Sequence, residues 1–490
     1  VVSSGSLAGL CVNADPSLRR QDDDRVLIGG SPLSVMRLSA AGASLVTRLL
    51  GGEPLPAGNS ASHLLRRLLE TGMVHPVPNA TAFALTDVTI VIPVHGSLHP
   101  ELLDAIRGVA AIIVVDDASP IPIRVPAHNI HGVSTTVIHV DAQQGPAAAR
   151  NAGSGHVATS ITAFIDADCV PSDGWLEPLL GHFADPSVAV VAPRIVPTDP
   201  VEDQPTRLAR YEHIRSALDL GSRPARVRAR TRVSFVPSAA LVFRTDIVHT
   251  HHGFDPSLIV GEDVDFVWRV DEAGHTVRYE PAATVAHRHR TSFRPWAKRR
   301  FEYGTSAGPL ARRHPGALTP LETSGWSIAV WALLATGHLI GAGAVFAGTA
   351  ALLARKLESI DKPIPAALRL AGAGHLGAGR LMAQSLVRPW WPVTLLAAAL
   401  VPSRKFRAVL LGAALAPAII DWIRERPPLD PVSYVAFRVA DDVAYGAGVW
   451  VGAFRARTTE PLVPDLTSWP KPSRYSTQRS FTRGESLPPI

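Results

Sequence analysis

Cysteine is nearly absent: two residues, Cys11 and Cys169, stand among 490. That scarcity excludes a disulfide-stapled scaffold and fits a reducing compartment. The N-terminus lacks the basic start, apolar run and small-residue cleavage site of a secretory signal, which puts the chemistry on the side of the membrane where the chain is made. No Gly-x-Gly-x-x-Gly follows the first apolar strand, where Pro93 and His95 stand instead, so a dinucleotide-binding dehydrogenase is disfavoured. Charge of one sign is also in short supply. A net charge of +6, carried mostly by arginine, argues weakly for nucleic acid at this length and better for anionic lipid or a diphosphate ligand. There is no internal repeat.

What is present changes character along the chain. The length suggests about three domains and ample material for a core. Residues 1–84 mix polar and apolar positions; 85–320 alternate short β-branched runs with helical stretches, an α/β pattern. Residues 325–423 are dominated by Ala, Gly, Leu and Val, and the end from Thr458 is rich in Pro, Ser, Thr and Arg, as a disordered tail is.

The central region carries the chemistry. Val88–Pro93 and Ile112–Val115 are continuous apolar runs of the kind that form parallel strands buried on both faces, and ligands gather at the carboxyl ends of such strands. The second run ends at Asp116-Asp117-Ala118-Ser119, where carboxylates suit a base or ribose, or else cap the next turn. Gly145-Pro146 opens a helical turn bearing Arg150, Asn151 and Gly153; the planar arginine fork suits a diphosphate, unless it only decorates a surface. A third run, Thr162–Ile165, leads into Asp166-Ala167-Asp168. If that segment is extended, both carboxylates share a face and make a hard oxygen site for a divalent cation. Further on, Gly261-Glu262-Asp263-Val264-Asp265 is an acid-rich helix start, read either as dipole capping or as the source of a general base.

Taken in order, the Ile-Pro strand end at Pro93, Asp116-Asp117-x-Ser119, Ala149-Arg150-Asn151-x-Gly153, Asp166-x-Asp168 and Gly261-Glu262-Asp263 resemble the family 2 glycosyltransferases. The resemblance covers about half the chain. It implies a GT-A fold, a nucleotide-diphosphate sugar donor and Mg²⁺ or Mn²⁺. It also implies that Pro93 and Asp117 border the nucleotide, with Asp117 on uracil, and that Arg150 binds the nucleotide. Asp166 would contact ribose or sugar, Asp168 the metal, and Asp263 would act as base, with Glu262 next in line. His287 falls where similar enzymes often place a third metal contact, and could equally be a surface histidine. One motif departs from the family: processive members carry Gln-x-x-Arg-Trp, whereas this chain has Trp296-Ala297-Lys298-Arg299-Arg300, which puts long-chain polymerisation in doubt. Arg299 and Arg300 either neutralise a leaving diphosphate or face water or lipid headgroups.

The flanks complete the expectation. In the N-terminal segment, Arg25–Gly30 reads as strand and turn; one helix then spaces Ala43, Val46, Leu49 and Leu50, and another Leu64, Leu65, Leu68 and Leu69. This winged-helix-like segment resembles the PqqD type of peptide-binding module, and it offers no basic recognition helix for DNA. From Gly325 to Ala354 no charge occurs, enough for one tilted membrane span, with Gly337 and Gly341 at small-xxx-small spacing. Trp390–Val401 and Ala408–Ile420 are shorter runs, better suited to a hairpin, re-entrant or interfacial elements; a soluble helical bundle is the alternative for the whole region. The combination resembles the glycosyltransferases of mycofactocin systems. It implies β-linked glucose, from UDP-glucose, on a ribosomal-peptide-derived redox cofactor or its precursor, with the precursor peptide a further partner. The rival readings are a transferase for a lipid-linked or envelope polysaccharide acceptor and a non-catalytic peptide-binding scaffold. The expected fold class is thus α/β: a GT-A nucleotide-sugar-binding core at 85–320, a small N-terminal domain at 1–84, hydrophobic membrane-associated helices at 321–426, and a C-terminal helix and tail at 427–490. The expected location is the cell membrane, catalytic domain towards the cytoplasm.

Overall fold

The computed structural model describes residues 7–78, 83–198, 205–358 and 362–466; the tail beyond, expected to be disordered, lies outside the described residues. By packing, the chain divides into two units, Val1–Leu318 with Ala418–Pro461, and Thr319–Pro417 with Leu462–Ile490.

The first unit is built on a nine-stranded mixed sheet. Val88–Val94 lies at its centre, parallel to Ala111–Asp116 on one side and to Ile161–Ile165 on the other. All seven of its residues are buried, as the continuous apolar run anticipates for a strand covered on both faces. Beyond Ile161–Ile165 the sheet continues through antiparallel Ala240–Arg244 to Val188–Pro197 and then Thr276–His287, these last two parallel. Cys169–Pro171 closes the path, antiparallel to the end of Thr276–His287. The helix Pro146–Ser154 packs onto the parallel strands through Gly153, where a Cβ would stand 2.3 Å from Val91 and 2.9 Å from Val115. That glycine of the arginine motif is therefore a packing requirement. Asn151 of the same helix ties down the loop at Phe254, donating to its carbonyl at 2.7 Å and accepting from its amide at 2.9 Å.

The N-terminal module has more strand than its sequence announces. Arg19–Gln21, Val26–Gly29 and Ser34–Arg37 form an antiparallel sheet, and Val12–Ala14 pairs with Val74–Pro76. Both apolar stripes, Val46 and Leu49 with Leu65 and Leu68, are the module's own core, each side chain contributing about 1.5–3 kcal/mol by its burial. The module docks on the amino-terminal ends of the Val188–Pro197 and Thr276–His287 strands: Arg66 pairs with Asp185 and donates to Ser187, and Glu70 accepts from Arg228 at 2.7 Å and Thr276 at 3.2 Å.

The helix Pro431–Arg455 also belongs to the first unit. It crosses the helices Phe293–Thr305 and Ala307–Arg313 at backbone contact: a Cβ on Gly448 would stand 2.0 Å from the Phe301 carbonyl, and one on Gly308 2.0 Å from that of Gly452. The start of the segment expected to be a disordered tail is ordered, since Glu460 accepts the Gly316 amide at 2.8 Å.

The second unit is helical. The single span expected over Gly325–Ala354 is two helices, Gly325–Ala335 and Leu339–Lys356, because the chain turns at Gly337 with φ +84°. A chargeless run conceals such a break, and Gly337 is thereby removed from any small-xxx-small helix face. Pro363–Val387, Trp391–Leu400 and Arg404–Glu425 follow, the last running on into the first unit. Leu339–Lys356 and Arg404–Glu425 are long and apolar enough to cross a membrane.

Candidate active site

The functional side chains converge on the carboxyl ends of the parallel strands. The two aspartates closing Ala111–Asp116 have different tasks. Asp116 accepts from the Ser119 amide at 3.0 Å and the Ile123 amide at 2.9 Å, and lies 2.9 Å from His139 Nδ1. Burial alone would raise its pKa, but these bonds prevail and hold it at about 2. Asp116 is thus committed to the turn that follows its own strand. Asp117 accepts the Gln144 and Gly145 amides at 2.8 and 2.7 Å, which fixes the start of the Arg150 helix beside this strand end. Pro93 lies within Val88–Val94, opposite Val115; His95 Nδ1 meets the Asp117 carbonyl at 2.8 Å, and the Gly96 amide donates to Ser119 at 2.9 Å.

Arg150 gathers the acids. It is buried, donating to Asp166 at 2.6 Å and to Glu262 at 3.1 Å, with the Phe254 ring 5.6 Å away. A surface role is thereby excluded, and its fork, expected to be open to a diphosphate, is occupied by two carboxylates. Asp166 is raised above the usual carboxylate range by burial, and further by Asp168, against the pull of Arg150.

The Asp-x-Asp geometry differs from the sequence expectation. The strand ends at Ile165, and Asp166–Asp168 turns instead of running extended. The two carboxylates therefore separate, Asp166 towards Arg150 and Asp168 towards His287 at 3.5 Å. His287 comes into place because Cys169–Pro171 pairs with the end of Thr276–His287, setting Cys169 opposite it. Burial pushes the Asp168 carboxyl up, but the facing imidazole prevails and lowers it. Among the described residues no group of three or more His, Cys, Asp or Glu gathers as a metal cage. An exposed carboxylate beside one imidazole is instead the donor set for a cation that shares its shell with phosphate oxygens and water.

Glu262 and Asp263 open the helix Glu262–Glu272 as expected, after Gly261 at φ +87°. Their environments diverge. Glu262 is buried on Arg150, and burial with the adjacent Asp263 charge pushes it up to about 7. Asp263 is half-buried, accepting the Ser238 amide at 3.0 Å and the Val264 amide at 2.8 Å. Asp265 anchors the helix from below: it is 0% exposed, between Arg269 at 2.8 Å and His314 at 3.1 Å.

Sequence reasoning missed the cleft on the other side of His287. It amounts to about 350 Å³ with its opening to solvent included, and is bordered by Glu212, Arg299, Arg300 and Tyr303. Glu212 accepts from Trp296 at 2.7 Å and from Arg300 at 2.5 Å, and Arg300 also lies 3.1 Å from Asp441. Arg300 is therefore buried among acids instead of facing water or lipid, whereas Arg299 remains half-exposed over the Tyr303 ring. No local signal marks Glu212, whose partners lie 84 and 88 residues away.

The family model of glycosyl transferase family 2 matches residues 89–249. A pre-mycofactocin glycosyltransferase of Mycobacterium tuberculosis is 40% identical over 474 residues, 94% of this chain and 98% of that protein. Glycosyltransferase AglE of Haloferax volcanii is 27% identical over 227 residues, covering 44% of this chain and 71% of its own length. Among solved structures, a mannosyltransferase from Pyrobaculum calidifontis in complex with GDP-Man and Mn²⁺ is 18% identical, covers 69% of this chain and 88% of that one, and superposes with a TM-score of 0.35.

Proposed function

The chain belongs to glycosyl transferase family 2, and from that premise we propose that it moves glucose from UDP-glucose, with inversion to a β linkage, onto a peptide-derived acceptor of the pre-mycofactocin kind. The observation that carries the reading is the division of labour between Glu262 and Asp263. Glu262 is buried against Arg150; Asp263 keeps a carboxylate half-open at the mouth of the site, held by the Ser238 amide. A general base must come within hydrogen-bond reach of the acceptor hydroxyl, and of the two the open acid is the better placed. Asp263 takes that proton as the hydroxyl oxygen attacks the anomeric carbon. The bond to the diphosphate breaks in the same displacement, which inverts an α-linked donor.

Around that step the other residues bind and orient. Asp117 takes the uracil edge beside Pro93, and Asp166, kept in place by Arg150, takes the ribose or sugar. Asp168 and His287 fit Mg²⁺ or Mn²⁺, which when bound supplies positive charge against the leaving diphosphate. The N-terminal module serves acceptor recruitment. Its docking edge and the catalytic end are separated by the twelve-residue Thr276–His287 strand, which at about 3.3 Å per residue spans roughly 35 Å. It therefore acts by raising local acceptor concentration and not by touching the reacting atoms.

Exposed apolar side chains on Leu339–Lys356, Ile340 at 91% among them, support attachment to a membrane, and the proposal puts the catalytic unit on its cytoplasmic side. The same feature supports the second reading, a lipid-linked acceptor. Turnover of UDP-glucose with a peptide-derived and with a lipid-linked acceptor separates the two. Asp263→Asn tests the base: donor binding stays near wild type and transfer falls by about 10²- to 10⁴-fold. Wild-type transfer by that variant moves the base elsewhere, Glu262 first.

A further inference from the structure

Where the N-terminal module meets the catalytic sheet, most charges are matched. Arg66 holds Asp185, Arg226 and Arg228 share Glu70 and Asp271, and His75 lies 2.8 Å from Asp15. Arg278 is different. It lies on Thr276–His287, is 2% exposed, and among the described residues pairs with no carboxylate. Its hydrogen bond runs to His75 Nδ1 at 3.3 Å, and its Nε is buried without a partner. Glu280, two residues on, is committed to His182 at 2.9 Å and to the Ala282 amide at 3.0 Å. Burial lowers the Arg278 pKa to about 10, which still leaves a cation at neutral pH. Glu70, Glu280 and Asp185 act on it only through space, and a buried charge without a directly bonded counter-ion is costly.

Arg278 borders a narrow cleft between module and sheet, about 390 Å³ when its opening to solvent is included, whose apolar walls include Leu10 and Leu69 from the module and Val188 from the sheet. We propose that this cavity binds a small monoanionic carboxylate, its oxygens on the Arg278 guanidinium and its short apolar body against Leu10, Leu69 and Val188. Guanidinium and carboxylate match as a planar fork on a planar pair of oxygens. Glu70 and Asp185 also border the cavity, and their charges select one negative charge over the two of a phosphate. The site lies at the amino-terminal end of Thr276–His287, the opposite end of that strand from His287, so it is separate from the donor site.

Equilibrium dialysis of the full chain with radiolabelled isobutyrate, at constant ionic strength, tests this. The wild type and Asp168→Ala should each bind one equivalent, with phosphate competing poorly. Arg278→Met should bind about tenfold more weakly or worse. Val77→Trp, at a partly exposed position of the cavity wall, should weaken binding by filling the space while leaving the charges in place, and it decides the matter if Arg278→Met does not fold. Absence of saturable binding, undiminished binding by Arg278→Met or by a folded Val77→Trp, or a preference for phosphate overturns the proposal. So does loss of binding in Asp168→Ala, which would locate the anion in the donor site.

Discussion

Two long apolar helices from the C-terminal third of the chain meet opposite fates. Pro431–Arg455 lies against the catalytic unit by its glycines, with Asp441 and Asp442 buried, and Asp441 reaches Arg300 at 3.1 Å and Tyr211 at 3.1 Å. Leu339–Lys356 leaves half of its apolar side chains exposed and buries only Ala342 and Ala350; among its glycines, a Cβ on Gly343 or Gly348 would meet nothing within 4 Å. Composition does not separate the two. What separates them is whether small residues line up opposite a backbone and whether the buried charges find partners. The first helix is part of an enzyme core; the second leaves apolar surface open.

The largest expected effect comes from cutting between the two. A chain ending at Leu321 lacks Pro431–Arg455, exposing the Phe293–Thr305 face and leaving Arg300 and Tyr211 without Asp441. That truncation should fail to give soluble, cooperatively folding protein, whereas a chain with a flexible linker in place of residues 319–417 should give it. Sedimentation and a thermal melt of both read this out, and a soluble, active chain ending at Leu321 would break the comparison.

Next is a matched pair of glycine substitutions. Gly448→Ala drives a Cβ to within 2.0 Å of the Phe301 carbonyl and forces the helices apart, at a cost of about 3 kcal/mol or more. Gly343→Ala meets open space and should raise helix stability by up to about 1 kcal/mol. Melting midpoints in detergent check both. Equal effects would mean that the two helices are packed alike.

These contrasts also mark what the sequence could disclose. The parallel strands were legible because burial on both faces demands unbroken β-branched runs, as Val88–Val94 and Ile161–Ile165 display. The acid-rich start of Glu262–Glu272 was legible because a left-handed glycine and helix-start carboxylates are local signals. The rest required distance in sequence to close. Glu212, Trp296, Arg300 and Asp441 span 230 positions and come together only in the fold. The turn at Gly337 stayed hidden because an uncharged run reads the same straight or broken. The separation of Asp166 from Asp168 escaped because two-residue spacing fixes a common face only if the segment is extended. In the N-terminal module, strands of three or four residues are too short to show a period, and four of five went unread.

Charge inside the packed unit gives the next contrast. Asp441→Asn keeps the volume but removes the anion beside Arg300. The Arg300–Glu212 pair persists, so the expected loss is about 1–3 kcal/mol of stability. Transfer should suffer through acceptor KM more than through donor binding, since the cleft beside His287 has Arg300 in its wall. An unchanged KM would detach the helix from the site and leave it a purely structural support.

The most gradual effect is a pH dependence confined to the packed unit. His314 is buried between Asp265 at 3.1 Å and Glu272 at 2.6 Å. Burial alone would lower its pKa, but the two carboxylates prevail and raise it to about 9 from an ordinary 6.5. The folded state therefore binds this proton more tightly than the unfolded chain does. Its contribution is complete below about pH 6.5 and is lost progressively as pH rises through about 9, worth at most on the order of 2–3 kcal/mol. Since Asp265 anchors the helix that presents Asp263, the same titration should loosen the base. Unfolding free energy should thus fall between pH 7 and 9 in the wild type, and less steeply in His314→Gln, which keeps a hydrogen-bond donor but no charge. Denaturant titrations at several pH values give both slopes. Parallel slopes would show that His314 is neutral in the folded protein, and that Arg269, 2.8 Å from Asp265, carries the anchor alone.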